Sequence, residues 1–248
     1  MRVYRNLVEA MKETERDLFE MGVLVKGIKS QGKDIGKAGW TREIIGHTYS
    51  IPLTCAEQWS QIEPALEALE IRPGRGEDFC SYILMEISDR LGRTGKQNPG
   101  NAYLWRLGYW RNHMELDGKF SYTYDERIAP WLDNIISLLR RDPGTRQAIL
   151  PIWRTSPDNP RVVQGTRRVP CSMYYQFFIR DRFEGTVLDM HYVMRSCDLY
   201  THFPFDVVFA CKLGLYVGKR LGIAPGRLVH TVGSLHAYYS DLEKRGIF

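Results

Sequence analysis

Cysteine, arginine and aspartate recur at short intervals between Val169 and Asp206, a combination suited to nucleophilic attack on an anionic substrate. The clusters are Val169-Pro170-Cys171-Ser172, Arg195-Ser196-Cys197-Asp198 and Phe203-Pro204-Phe205-Asp206. A lone cysteine is usually a small buried hydrophobe, and Cys55, Cys80 and Cys211 read that way. Cys171 differs because it follows Pro170 at a strand start, with Arg167 and Arg168 beside it in the chain. Cationic neighbours favour the thiolate, which is the nucleophilic form. Arg195-Ser196 sets a fork of donors next to a hydroxyl, and Arg146 follows a tight turn. Converging, such groups would make a phosphate site.

These residues need elements to bring them together. Met173 to Arg180 is aromatic and β-branched, Thr186 to Met194 alternates more weakly, and Arg182 to Gly185 is a polar turn between them. A hairpin of roughly nine residues a side would carry Cys171 to the neighbourhood of Arg195. Phe205 to Leu221 has the small-residue content of a buried helix. The pattern elsewhere predicts helices over Val3–Met21, Ala56–Leu69, Asp78–Leu91, Ala102–Trp110, Ala129–Arg141 and Ser240–Arg245. Strands are expected over Thr41–Leu53, Gln147–Trp153 and Arg227–Val232. Gly27–Gly39 and Ser156–Arg168 read as irregular, and Pro73-Gly74-Arg75-Gly76 as a break. Helices and strands mix without regular βαβ alternation, so the fold class is α+β, in one domain over residues 1–248.

At 248 residues, 44% hydrophobic and 25% charged, the composition is that of a soluble globular chain. No apolar run approaches the roughly 20 residues of a membrane span, so no membrane association is expected. Met1-Arg2-Val3-Tyr4-Arg5 lacks the apolar stretch of a signal peptide. Five cysteines without a C-x-x-C pair argue against a disulfide framework and against a metal site, and point to a reducing cytoplasm. A net charge of +5 suits small anionic ligands and is too diffuse to imply nucleic acid.

Taken together, the motifs resemble the thymidylate synthase family. Pro170-Cys171 with Gln176-Phe177 looks like its nucleophile segment, and Arg195-Ser196-Cys197-Asp198 like its phosphate segment. Pro204-Phe205-Asp206 looks like the pyrimidine-reading segment, and Val232-Gly233-Ser234-Leu235-His236-Ala237-Tyr238 like the sugar-binding one. Asp142-Pro143-Gly144-Thr145-Arg146 resembles the loop that lends arginine to a partner subunit. The likeness is strong from Asp142 to Tyr238 and fainter before, carried by Glu43-Ile44-Ile45-Gly46, Glu86 and Tyr124.

The resemblance implies a large mixed β-sheet packed with helices, and a homodimer through the sheet face. Cys171 would attack C6 of a pyrimidine nucleoside monophosphate so that C5 accepts the one-carbon unit of 5,10-methylenetetrahydrofolate. Arg195, Ser196 and the partner's copy of Arg146, with Gln147 and Gln176 nearby, would hold the nucleotide. His236 and Tyr238 would bond the sugar 3′-hydroxyl. Glu86, with Tyr124, would order water and move protons, and Asp198, Trp110 and His202 would face the folate. The plainer alternatives are a solvated helix glutamate for Glu86 and a core aromatic pair for His236 and Tyr238.

Asp206 is the informative departure, since family members acting on uracil carry asparagine there. An amide can donate to O4 and accept from N3–H. A carboxylate instead accepts from the N4 amine of cytosine, and from a protonated N3 in a charge-assisted pair that also activates C6. Facing O4 of uracil it would be repelled. The competing reading is an aspartate that caps a helix starting at Val207. With Val232-Gly233-Ser234-Leu235-His236, Asp206 makes the chain most similar to bacteriophage deoxycytidylate hydroxymethylases and their CMP-using relatives.

Further departures are Ser172 where methyl-forming enzymes carry histidine, Gln147 for a second arginine, and Thr201-His202 for a leucine-glycine pair. Lys33, Lys37 or Arg42 would replace the arginine usual in the early loop. The sequence stops soon after Tyr238, at Gly246-Ile247-Phe248, so the tail that closes over folate is expected to be missing or short, which fits attack by water. The expected activity is C5 hydroxymethylation of dCMP or CMP. Its rivals are dCMP methylation with hydride transfer, thymidylate synthesis from dUMP, and an inactive nucleotide- or RNA-binding relative.

Overall fold

The computed structural model describes residues 1–26, 29–30, 33–34, 36–68, 79–95, 98–106, 111–165, 168–183 and 185–246. Trp110, Arg167, Ile247, Phe248 and the break at residues 73–76 lie outside them.

In chain order the elements are β1 (Arg2–Val3), α1 (Leu7–Met21), β2 (Val23–Val25), β3 (Lys29–Ser30), β4 (Lys33–Asp34), β5 (Thr41–Pro52), α2 (Trp59–Ala68) and α3 (Phe79–Arg90). Then come α4 (Asp125–Arg141), β6 (Ile149–Pro151), α5 (Thr155–Gln164), β7 (Ser172–Arg182), β8 (Gly185–Asp198), α6 (Phe203–Leu221), β9 (Ala224–Tyr238) and α7 (Tyr239–Lys244). Short 3-10 turns cover Gly36–Gly39, Leu53–Glu57, Asn101–Arg106 and Arg111–His113. No described helix is long and apolar enough to cross a membrane.

A seven-stranded mixed sheet organises the chain in the order β1-β5-β9-β8-β7-β6, with β2 also on β5. The predicted hairpin is β7–β8, antiparallel from Arg182 opposite Gly185 to Ser172 opposite Met194. Strand β9 then runs parallel to β8 through the α6 crossover, and antiparallel to β5. On one face Tyr175, Phe177, Met190, Tyr192, Leu228, Val232 and Tyr49 are buried under α1, α3, α4 and α6. On the other, Tyr174, Gln176, Phe178, His191, Val193, Val229 and Thr231 stay half-exposed.

Several elements differ from expectation. Helix α1 begins at Leu7 because the Asn6 side chain accepts the Glu9 N–H at 2.9 Å and caps it. Strand β9 runs from Ala224 to Tyr238, well past Val232, because β5 and β8 pair with it on both sides. Strand β6 is confined to Ile149–Pro151; beyond it the Ile152 and Trp153 N–H groups both turn to the Met173 carbonyl. Of the helix expected over Ala102–Trp110, the part up to Arg106 is a 3-10 turn spanning Asn101–Arg106, and residues 107–110 lie outside the described residues.

The proline-containing piece expected to be irregular carries α5, held by a buried ion pair. Arg127 of α4 grips Asp158 with Nη1 at 2.9 Å and Nη2 at 2.8 Å, and Asp158 also accepts the Arg154 N–H. Removing one partner of a buried pair strands the other charge. Asp158→Asn is therefore expected to lower unfolding stability by about 3–5 kcal/mol, read from urea denaturation.

Candidate active site

The hairpin ends where the chemistry gathers. The Arg195 N–H bonds the Cys171 carbonyl at 2.8 Å. The ladder is irregular between Ser172 and Tyr174, so the segment leading into β7 turns beside Arg195. Arg195 Nη2 and Ser196 Oγ each lie 3.7 Å from the half-buried Cys171 Sγ. Arg195 Nε donates to the Pro170 carbonyl at 2.9 Å, which fixes the guanidinium along that segment. Gly233 of β9 is what lets the backbones meet here: a Cβ there would lie 2.8 Å from the Arg195 carbonyl oxygen.

Asp206 sits inside the first turn of α6, with its N–H already bonded to the His202 carbonyl at 2.9 Å. The helix starts at Phe203 with His202 as its N-cap, so a cap at Val207 is ruled out. One Asp206 oxygen lies 3.9 Å from Cys197 Sγ. Burial pushes the Cys197 thiol up, and the Asp206 charge adds to it. Behind Cys171, the buried Ser172 Oγ joins the hydroxyls of Tyr124 at 3.0 Å and Tyr192 at 2.5 Å. Tyr192 stacks on Tyr175 with centroids 4.4 Å apart, and on His230 at 5.0 Å. Glu86 is not a solvated helix residue: its Oε1 accepts Arg90 Nε at 2.8 Å, and both side chains are largely buried.

Asp198 ends β8 opposite His236 of β9 and accepts the Tyr200 N–H at 3.1 Å. Burial raises the Asp198 carboxyl, and His236 and the Thr201 hydroxyl pull it part of the way back. His236 and Tyr238 are half-buried, their rings edge-on at 5.5 Å. His202 is half-buried at the head of α6. The structure thus brings Cys171, Arg195, Ser196, Asp198, Asp206 and His236 to one end of the β7–β8–β9 ribbon.

Arg146 is placed elsewhere. Gln176, on the half-exposed sheet face, donates Nε2 to the Arg146 carbonyl at 2.8 Å, and the Arg146 and Gln147 side chains are exposed. Among the described residues the Arg146 guanidinium has no contact with Cys171 or Arg195 of its own chain. Arg42 is corrected as a phosphate candidate, since Nε donates to the Leu18 carbonyl at 2.8 Å and Nη2 to that of Phe19 at 2.5 Å. It closes the end of α1. Lys37 lies 4.1 Å above the Tyr239 ring and pairs with Glu243 at 3.5 Å, and the Lys33 side chain is outside the described set.

Arg90 was missed from the sequence, and Arg168 was read there only as a cationic neighbour of Cys171. With Glu86, Asp89, Tyr122, Tyr124 and Asp125 they line a cleft whose walls also include Tyr103 and Phe120. The spacing of Glu86 and Arg90, one helical turn apart, is the signal that could have found the first. Asp125 is buried at the start of α4, and desolvation, then Glu126 and Asp89, push its carboxyl up to about 6. A folded-state pKa above the unfolded one stabilises at low pH and loses that contribution as pH rises through it. Stability is expected to fall between about pH 4 and 6.5 and the slope to flatten in Asp125→Asn, as measured by thermal melts across pH.

A family model described as thymidylate synthase matches residues 83–246, a span that includes every candidate residue above from Glu86 onward. The bifunctional dihydrofolate reductase-thymidylate synthase of Leishmania major is 28% identical over 163 residues, 64% of this chain and 29% of that protein. The chain therefore spans well under half the length of that curated relative. The solved thymidylate synthase from T4 phage aligns with TM-score 0.62 and 20% identity, covering 94% of this chain and 78% of the other. Thermostable thymidylate synthase A from Bacillus subtilis gives TM-score 0.70 at 14% identity, covering 98% and 83%. At such identities the solved structures speak to the fold alone, and it is the thymidylate synthase-like mixed α+β fold expected from the sequence.

Proposed function

The chain belongs to the thymidylate synthase family, and from that premise we propose that it is a folate-dependent one-carbon transferase acting at C5 of a cytosine nucleoside monophosphate, dCMP or CMP. The observation that carries the substrate choice is Asp206, a carboxylate inside the first turn of α6 near the end of the ribbon that bears Cys171. Its oxygens suit the N4 amine of cytosine and repel O4 of uracil.

The parts follow from their positions. Cys171 Sγ adds to C6, forming a carbon–sulfur bond and moving the C5=C6 electron pair onto C5. Release of Sγ restores the double bond after the C5 proton has gone, and Glu86 with Tyr124 orders the water that carries it. Arg195 and Ser196 hold the 5′-phosphate, and His236 and Tyr238 the 3′-hydroxyl. Arg146, Gln147 and Gln176 lie on or beside the half-exposed sheet face, which supports a homodimer through that face with Arg146 serving the partner's site. The whole chain acts as one catalytic domain.

The aromatic walls and carboxylates of the cleft suit a flat pterin bearing amine donors. When bound, 5,10-methylenetetrahydrofolate supplies a one-carbon unit at the oxidation level of formaldehyde. Asp198 and His202 would face it, with Trp110 outside the described residues. Ser172, tied to Tyr124 and Tyr192, puts a small hydroxyl in place of an imidazole next to the nucleophile, which supports water rather than hydride as the group that completes the product.

Tritium release from [5-³H]dCMP and [5-³H]CMP, dependent on methylenetetrahydrofolate and lost in Cys171→Ala, is the expected result. Product mass should show a hydroxymethyl group with tetrahydrofolate released; a methyl product with dihydrofolate would overturn the water route. Asp206→Asn is expected to move the dCMP-to-dUMP preference by about 10- to 100-fold toward dUMP in kcat/KM. Absence of release from every pyrimidine monophosphate would instead support a nucleotide-binding relative without catalysis.

A further inference from the structure

Arg90 is a buried cation to which no role has been given above. It stands one turn after Glu86 on α3, and its side chain is 7% exposed. Its guanidinium lies 4.0 Å from the Tyr124 ring centroid and 4.1 Å from that of Phe209. Nε is spent on Glu86 at 2.8 Å, while Nη1 is buried with no hydrogen-bond partner among the described residues. A pair built only for stability would use the fork bidentately. This one leaves a donor in a cleft wall.

Phe209 follows Asp206 by three residues on α6, so the two share a helix face, and the guanidinium on the Phe209 ring feels the Asp206 carboxylate through space rather than in an ion pair. Burial alone would lower the Arg90 pKa, but Glu86, Tyr175, Tyr124 and Asp206, in that order, more than offset it. Among the described residues, the titratable and charged groups acting on this centre include Glu86 from α3, Tyr122 and Tyr124 from the segment before α4, Tyr175 from β7, Tyr192 and Cys197 from β8, and Asp206 from α6, with Arg168 and Arg195 on the Tyr122 side. Burial pushes those phenols and that thiol up, so they are neutral near pH 7. Arg90 is thus a buried cation that pairs with Glu86 and is acted on at longer range by the Asp206 charge.

We propose that Arg90 is a positioning residue for substrate choice, which by its charge holds Asp206 in the deprotonated form beside Glu86. It rests on the reading that Asp206 faces the base. Two carboxylates sharing such a site without a cation divide a proton between them near neutrality. A protonated Asp206 has a donor and an acceptor, as an asparagine has, and would accept uracil.

The test is Arg90→Met beside Arg90→Lys. Carboxyl ¹³C NMR titration of the purified protein, with the Asp206 signal identified from Asp206→Asn, is expected to show its midpoint raised by about 1–2 pH units in Arg90→Met and returned toward wild type in Arg90→Lys. In parallel, the dCMP-to-dUMP ratio of kcat/KM should drop about tenfold below the new midpoint, with less change in the lysine variant. A folded Arg90→Met protein with the wild-type titration overturns the proposal. If Arg90→Met does not fold by circular dichroism, the comparison moves to Glu86→Gln against Glu86→Gln/Arg90→Met. That double variant replaces the ion pair with neutral groups. The Asp206 midpoint must still rise between those two, and equality overturns the proposal. The titration needs no turnover, so a protein inactive on cytosine nucleotides sinks the substrate reading alone. Normal cytosine turnover with an unmoved midpoint sinks the Arg90 role alone.

Discussion

Strand β8 is paired antiparallel to β7 as far as Met194 and parallel to β9 through to Asp198, and this pairing fixes where the strand side chains of the site point. Ser172 opposite Met194 puts the Cys171 carbonyl on the Arg195 N–H. Ser196 opposite Ser234 and Asp198 opposite His236 bring the third segment level with the first two. Side chains alternate between faces with a period of two, so a slip of one residue would turn Ser196 away from Cys171 and bury Arg195. The tolerance is small at Gly233, where β9 lies against the Arg195 carbonyl with no space for a methyl group.

Beneath that ribbon the core is apolar at its edges and aromatic with hydroxyls and imidazoles at its centre. Tyr175, Tyr192 and His230 stack in sequence, and the Tyr49 hydroxyl meets His230 Nδ1 at 2.9 Å. Desolvation, with the charges of His47 and His191, lowers His230 to about 3, so the ring stays neutral as pH falls through the ordinary histidine range. The centre of the fold thus offers oriented dipoles without charge, and the charges are kept at the end of the sheet where the cleft opens. The opposite face, half-exposed over Tyr174, Gln176, Phe178 and His191, carries the loop of Arg146 at its β6 side.

How much of this could be read from the chain depends on whether local pattern or distant pairing decides. The hairpin was legible because its strands alternate and a polar turn separates them. Helix α6 was legible because its apolar run closes at Gly222, whose φ of 72° ends it while the Ile223 N–H turns back to the Gly218 carbonyl at 3.0 Å. The second half of β9 was not, because Gly233-Ser234 breaks its alternation and only its neighbours β5 and β8 make it a strand. Helix α5 was hidden by its prolines, Pro157 and Pro160, and is held by Arg127, far away in sequence. Among site residues, those with unusual neighbours in the chain were found. Arg90 was not, since an arginine on a helix ordinarily reads as a solvated face, and its burial comes from Tyr124 and Phe209.

If Asp206 faces the base as proposed, the exchange of asparagine for aspartate there cannot be judged from that position alone. A neutral amide costs little to bury once bonded, whereas a carboxylate in a site that excludes water needs a cation or it takes up a proton. With Glu86 already acting on the same guanidinium, an added negative charge at Asp206 that took up a proton would be self-defeating, because that proton would restore the hydrogen-bonding pattern of the amide it replaced. On the proposed reading a guanidinium packed against Tyr124 and Phe209 answers that difficulty, since its Nε is held by Glu86 and it keeps its charge at any accessible pH. Substrate choice on this reading belongs to the charge balance of Glu86, Arg90 and Asp206 together, and Arg90 comes from α3, outside the segment that announces the nucleophile.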